Sequence, residues 1–323
     1  MFCSTIIPTV GRPSLARAVE SVLSQQLPGL PFEVIVVNDT VVNDAVVNDA
    51  VVNDAPAPLP PAPWQQDERV RIIQTRGHER SVARNTGAAI ARGQYLHFLD
   101  DDDWLLPGAL QRLHALAQQS GAVWVYGAAQ LVTRQGEPIL VLRPEMDGNC
   151  FIQALAGEWT PLQASLIRAD AFFANGGFNP LLAGPEDNDI LRRIALRHDL
   201  ASTSEVVATV EWRGATSTTD YDQHPAQSRW AREQILEAPG AFSRMRASAD
   251  SAYWRGRIAR AYATSLVWNL QRRRLLVALS RGVYLAAALL LSIRFWLSPP
   301  FWQAVAKPHE SRAFRRGEME RGR

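Results

Sequence analysis

Residues 4–37, STIIPTVGRPSLARAVESVLSQQLPGLPFEVIVV, decide the fold of this chain. The opening STIIP is a short apolar run closed by Pro8, and it predicts a first strand. Leu15, Ala18, Val19, Val22 and Leu23 then recur at i, i+3, i+4, i+7 and i+8, one face of an amphipathic helix. Pro28-Gly29 ends the connection, and FEVIVV is almost wholly apolar, as a strand covered on both faces must be. Strand, helix, buried strand is a βαβ unit, which implies an α/β fold with a parallel sheet. Farther along, VRIIQT predicts a third strand, 79–91 a helix closed by Gly93, and YLHFL a fourth strand that runs straight into Asp100-Asp101-Asp102-Asp103. Ligands of open parallel sheets bind at the carboxyl ends of the strands, so Asn38-Asp39 and the aspartate run fall on one functional rim. A helix over 108–119, a strand within AVWVYGAAQLVT and a helix from about Glu186 follow, so that 151–215 reads as a second half built onto the same sheet.

The chain has 323 residues, 47% hydrophobic and 20% charged, enough for one large α/β domain with an appendage or for two small domains, and too apolar for global disorder. Cys3 and Cys150 make no disulfide framework, which points to a reducing compartment. The start, MFCSTIIPTV, has neither the basic flank nor the long apolar run of a secretion signal. Charge is divided unevenly. Residues 241–323 hold 16 Lys and Arg against 4 Asp and Glu, whereas the first 240 hold 18 against 28. A basic tail on an acidic body suggests an anionic partner, nucleic acid or a membrane surface.

Residues 36–55 read VVNDT VVNDA VVNDA VVNDA, and PAPLPPAP follows at 56–63. Five residues match neither the strand period of two nor a helical face, so successive copies cannot all enter the core in the same way. The expectation is that VVND at 36–39 ends the core strand and that the further copies, with the Pro-rich part, make one long loop at 36–63 beside the rim. The other reading is a strand that continues as a β-hairpin.

Asp100 and Asp102, one residue apart at a strand end, can face one pocket. Mg²⁺ or Mn²⁺ is held in this way, by one or two carboxylates together with substrate phosphates. The other reading of an acidic run, a solvated turn, is weakened by the apolar strand before it and Trp104 after it.

Four stretches together resemble glycosyltransferase family 2: STIIPTVGRPSLARAVESVLSQQ, FEVIVVND, SVARNTGAAIARGQYLHFLDDDD and GGFNPLLAGPEDNDILRRIALR, in this order over roughly residues 2–215. The resemblance implies the GT-A fold, a Rossmann-like nucleotide-binding sheet fused to an acceptor-binding half, here over 1–240, with an Arg-rich helical extension over 241–323. It implies inverting transfer from a nucleotide-diphosphate sugar, with a UDP-sugar favoured, to a saccharide or lipid-linked acceptor. It further implies that Asp100 and Asp102 form the metal and diphosphate motif for Mn²⁺ or Mg²⁺. Pro8, Thr9, Asp39, Arg84 and Asp101 would line the donor nucleotide, Asp39 through the imide N–H of the base. Asp187 would be the general base, with Glu186 and Trp159 on the acceptor side. The pentapeptide expansion departs from the family pattern and makes Asp44, Asp49 and Asp54 competitors of Asp39. Arg84 could instead pair only with the acidic rim, Asp187 could serve as a helix N-terminal acid, and Trp159 and Trp212 could be core residues. His224 is a further candidate metal ligand, although a lone histidine after a loop is more often not one.

A glycosidase, a sugar nucleotidyltransferase and a non-catalytic nucleotide-sugar-binding protein are the other classes. The first needs no strand-end metal pair, and the second lacks here a Gly-rich phosphate loop with its Lys. The third would be expected to have lost Asp102 or Asp187.

In the tail only 12 uncharged residues separate Arg281 from Arg294, short of the about 20 that a membrane span needs. Arg flanks with Trp296 and Trp302 suit a helix lying in the interface of an anionic membrane, which would make the protein peripheral at the cytoplasmic face. The competing reading is a helix packed on the catalytic domain or in a dimer contact. Nucleic acid is the less favoured partner.

Overall fold

The computed structural model describes residues 1–42, 45–47, 50–52, 55–56, 58–77, 79–144, 146–158, 160–182, 184–212 and 225–307. The fold begins with β1 (Cys3–Thr9), α1 (Leu15–Leu23) and β2 (Phe32–Asn38). Short strands follow within the repeat: β3 (Val41–Val42), β4 (Ala45–Val47), β5 (Ala50–Val52) and β6 (Ala55–Pro56). Next come β7 (Val70–Gln74), α2 (Arg80–Ile90), β8 (Tyr95–Phe98), β9 (Trp104–Leu105), α3 (Ala109–Ser120), β10 (Trp124–Val132) and β11 (Pro138–Leu142). The second half adds α4 (Phe151–Ala156), β12 (Ser165–Arg168), α5 (Ala169–Ala174), α6 (Glu186–Ala195) and β13 (Leu200–Glu211).

The central sheet runs β7-β2-β1-β8-β12-β10-β13-β9, with β11 on β10. β7, β2, β1 and β8 are parallel, while β8 meets β12 antiparallel. From β1 the chain builds outward through β2 to β7, then crosses back to β8 on the other side. This reversal opens the crevice at which such sheets bind ligands. Period-two alternation divides the strand residues between two cores. Val34 and Val36 face the side covered by α1 and α3, whereas Ile35 and Val37 face the side covered by α2 and the later helices. α2 lies close on β1 and β2. A Cβ at Gly87 would come within 2.5 Å of the Ile6 side chain and 2.9 Å of Val37, so only glycine permits this contact.

β2 ends at Asn38, where the sequence pattern ends the core strand. The later copies stay out of the central sheet, but they do not form a plain loop. β3 pairs antiparallel with β6 and β4 with β5, in one register that joins Val41 to Pro56 and Val47 to Ala50. A two-stranded ribbon outside the core needs no consistently buried face, so the five-residue period does not forbid it.

The carboxy-terminal helices are α7 (Pro225–Glu237), α8 (Ala241–Ser248), α9 (Ala252–Gln271), α10 (Leu275–Leu290) and α11 (Pro299–Ala306). They share a core with the sheet: Ile258, Tyr262 and Phe301 belong to the same buried cluster as Ile6, Phe98 and Leu191. α10 and α11 both pack on α9. Among the described residues no helix is long and apolar enough to cross a membrane. Both cysteines are buried and unpaired.

Candidate active site

The rim is assembled from three neighbouring strand ends. Thr9 closes β1 and is buried, and half-buried Pro8 stands beside it opposite Val37. Asp39 follows β2, and its N–H donates to the Thr9 carbonyl at 2.8 Å. Its Oδ1 accepts from Thr75 Oγ1 and, at 2.8 Å, from the Gly77 N–H, so the carboxylate is held at the mouth of β7. Asp44, Asp49, Asp54, Trp159 and His224 lie outside the described residues. Trp212 is half-buried, with its N–H on the Val132 carbonyl.

After β8 the chain turns, and the Asp103 N–H reaches the Asp100 carbonyl at 3.1 Å. Such a turn brings residues three apart together. The carboxylates of Asp100, Asp102 and Asp103 consequently lie within 4.8 Å of one another, a set of three where the i, i+2 spacing of an extended chain suggested two. Asp103 is only 2% exposed and accepts from the Glu211 N–H. Burial, then the charges of Asp102 and Asp100, push its carboxyl well above the ordinary range. Crowded carboxylates with this strain fit a divalent cation, which would relieve their repulsion.

Asp101 is engaged within the protein. It is buried, accepts from Thr9 Oγ1 at 2.6 Å and pairs with Arg12 at 2.6 Å, bracing the crevice between β1 and β8. Arg12 was not singled out in the sequence. It is half-exposed beside Asp101 and lies 3.6 Å from Asp102, a cation at the edge of the cluster.

Arg84 lies among the carboxylates of the rim. It is 1% exposed on α2, and its guanidinium reaches Asp100 at 2.7 Å, Glu186 at 3.1 Å and Asp187 at 3.2 Å. It thus pairs with the acidic rim, and these pairs leave its place beside a nucleotide open. Burial works against its charge, but Asp100, Asp187 and Glu186 outweigh this and raise its pKa. Asp100, which also accepts from Gln163 Nε2 at 3.2 Å, is held below its ordinary value; burial opposes its charge, and Arg84 and Arg80 overcome that.

Glu186 and Asp187 open α6, where a helix N-terminus favours carboxylates. The preceding loop is fixed by Asn85, which bonds both the Phe178 carbonyl and its N–H, and by Arg193 on the Gly177 carbonyl. Glu186 is buried, whereas the Asp187 side chain keeps 34% exposure toward the cleft. Burial pushes the Asp187 carboxyl up to about 7; Arg84 opposes the shift, and Glu186 and Asp100 add to it. A carboxylate poised there can take a proton near neutral pH.

The family model for glycosyl transferase family 2 matches residues 4–144. These residues form a glycosyltransferase family 2 domain. Over 118 residues the chain is 31% identical to an uncharacterized glycosyltransferase, EpsJ, of Bacillus subtilis, a match covering 36% of this chain and 30% of that one. It is 32% identical over 149 residues to the succinoglycan biosynthesis protein ExoO of Rhizobium meliloti, covering 44% and 38%. The chain thus spans roughly a third of the length of these relatives. Among solved structures, S. aureus TarS 1–349 in complex with UDP-GlcNAc superposes with a TM-score of 0.58 at 16% identity, covering 94% of this chain and 82% of that one. The family 2 domain thus carries the GT-A fold, with its strand-end rim and the acidic cluster on it.

Proposed function

We propose that this family 2 protein transfers a sugar from a nucleotide-diphosphate donor to an acceptor hydroxyl with inversion at the anomeric carbon. The observation that carries this reading is Arg84, which ties the three-carboxylate cluster through Asp100 to the raised, partly exposed carboxylate of Asp187. A donor-side cation site and an acceptor-side base thereby share one rim.

Asp100 and Asp102, with Asp103, would hold Mn²⁺ or Mg²⁺. When bound, such an ion neutralises the negative charge on the departing diphosphate. Thr9, Pro8 and Asp39 face the donor nucleotide, with Asp101 and Arg12 bracing the crevice beneath it. Asp187 accepts the proton of the acceptor hydroxyl, whose oxygen attacks the anomeric carbon as the bond to the diphosphate breaks. Arg84 favours the ionised form of Asp187 until the proton arrives. The acceptor is a saccharide or lipid-linked sugar of cell-surface polysaccharide synthesis. This assignment is supported by the relatives named for succinoglycan and for poly(ribitol-phosphate), the latter S. aureus TarP at 25% identity over 125 residues, which covers 38% of this chain and 35% of that one. A UDP-sugar donor is favoured because TarS, of the same fold, was solved with UDP-GlcNAc and with UDP. Work on a lipid-linked acceptor would set the enzyme at the cytoplasmic face of a membrane.

A thermal-shift panel of nucleotide sugars with Mn²⁺, followed by assay of nucleoside diphosphate release, tests the reading. Stabilisation by one sugar nucleotide and its Mn²⁺-dependent, acceptor-stimulated cleavage are expected. Binding without release would make the protein a carrier, and release of pyrophosphate a nucleotidyltransferase; either overturns the proposal.

A further inference from the structure

Helix α10 is apolar on both faces: Ala278, Leu285, Ala288 and Leu289 turn toward the core. Its inward face carries Arg281, 3% exposed, whose guanidinium bonds Ser265 Oγ at 3.1 Å and the Leu236 carbonyl at 3.1 Å and lies 3.9 Å from buried Glu233. Ser265 and Asn269 also donate to Glu233, so α10 is clamped to α9 and α7 by a buried polar network. The outward face is aliphatic. Leu276, Leu279, Val283 and Leu290 recur at helical spacing, with Leu276 at 85% exposure and Leu279 at 68%. The turn after the helix continues this surface with Ile293 and Leu297, the latter 98% exposed. Among the described residues nothing covers it. A contiguous exposed apolar surface of this extent marks a partner or a membrane.

The margins identify the occupant. Arg272, Arg273 and Arg274 precede α10, Arg294 follows it, and all four are exposed. From residue 251 to 307 the sequence has nine basic residues and no Asp or Glu. A second copy docked across a two-fold axis would oppose these arginines to their own equivalents with no carboxylate of that segment between them. The residues after Lys307, PHESRAFRRGEMERGR, are too charged to cover leucines. Trp296 and Trp302 sit half-exposed at the far end, with their ring N–H groups already bonded to the carbonyls of Leu289 and Trp296, so that apolar ring edges face outward.

We propose that the outward face of α10, with the turn around Leu297, lies in the headgroup and upper acyl region of an anionic bilayer, the helix parallel to the surface and its about 24 Å length bounded by arginines. The surface is argued independently of catalysis. Its link to a lipid-linked acceptor rests on the transfer reading.

The test is sedimentation of the full-length chain with vesicles of phosphatidylcholine alone and of phosphatidylcholine with phosphatidylglycerol. Anionic vesicles should take up the protein, neutral ones far less, and added salt should weaken the uptake. Leu276→Glu with Leu279→Glu, both on the surface, should lower partition by about tenfold or more. Arg273→Gln with Arg294→Gln should lower it on anionic vesicles only. Nucleoside diphosphate release during sugar transfer to a soluble acceptor is measured on the same samples and should be unchanged, so failure of transfer and failure of docking are read separately. Partition indifferent to the glutamates overturns the proposal. So does a dimer that the glutamates dissociate, which would make a second copy the occupant. Vesicle binding that appears only after removal of residues 308–323 overturns it as well.

Discussion

Arg84 takes its counter-charges from both sides of the site, Asp100 at the end of a strand and Asp187 at the start of a helix. Charge changes at either aspartate should therefore be visible in function before they are visible in stability. Asp102→Asn keeps the shape of a 13% exposed side chain and removes one charge from the crowded cluster. Transfer should fall by at least about a hundredfold while the melting temperature barely moves, because the lost contribution is charge stabilisation on the leaving group; steady-state kinetics beside differential scanning fluorimetry measure both. Asp187 must be deprotonated to act as a base, and its pKa stands at about 7. kcat/KM should consequently drop about tenfold per pH unit below that value and level off above it. Asp187→Asn should remove transfer and leave donor binding, followed by calorimetry, nearly intact. The sequence made Asp100, Asp102 and Asp187 legible because strand ends and a helix start can be found from local pattern. Arg84's partners were left open because two of them lie 102 and 103 residues away and only tertiary packing joins them. Asp103 was passed over because the run was read as extended, and a turn at Asp100–Asp103 changes which residues meet.

Among the elements, β1, α1, β2, β7, α2 and β8 follow the hydrophobic period closely, since each buries one face or both. The repeat was harder to read. Its period excludes a core strand but leaves the choice between loop and hairpin to pairing with itself, which no core contact dictates. The ribbon pairs only within itself, outside the central sheet. Removing one copy shifts the register by an odd number of residues, which turns the faces of one arm over without touching a buried strand. Variants with one to six copies should therefore differ in melting temperature by no more than a few degrees, since loop-closure cost changes by only about 0.6 kcal/mol per doubling of length. Because the ribbon springs from Asp39, their kcat and KM should change in graded fashion. A large stability loss with each added copy would mean that the units enter the core. Helix α10 illustrates a different limit. Its composition is that of any apolar helix, and only packing separates Leu285 and Leu289, which face the core with Arg281, from Leu276, Leu279 and Leu290, which stay exposed.

At the level of the whole molecule, the halves are joined through the sheet. His97 on β8 is fully buried between Thr5 Oγ1 on β1 and the carbonyl of Gln163, the residue whose amide reaches Asp100. Burial lowers its pKa to about 4, against the slight opposing effect of the Gln163 carbonyl. An unfolded histidine titrates near 6.5, so between these values the unfolded chain binds more protons than the folded one. The contribution is complete above pH about 6.5 and is lost as pH falls toward 4, up to about 3 kcal/mol in all. Unfolding midpoints recorded across this window should decline, and His97→Asn should flatten the decline between about pH 6 and 5. The shared core of sheet and carboxy-terminal helices was not visible in composition, which separates an acidic body from a basic tail; charge lies on the surface, and the core that unites them is made of residues such as Tyr262 and Phe301. The described strands of the repeat pair with one another and not with the central sheet, and the repeat's origin gives it a second property. A five-residue unit is fifteen bases of DNA, so slippage during replication adds or removes whole copies without breaking the reading frame. A lineage carrying this gene can therefore change the length of a segment anchored at the end of β2 by discrete steps, while the central sheet is inherited unchanged.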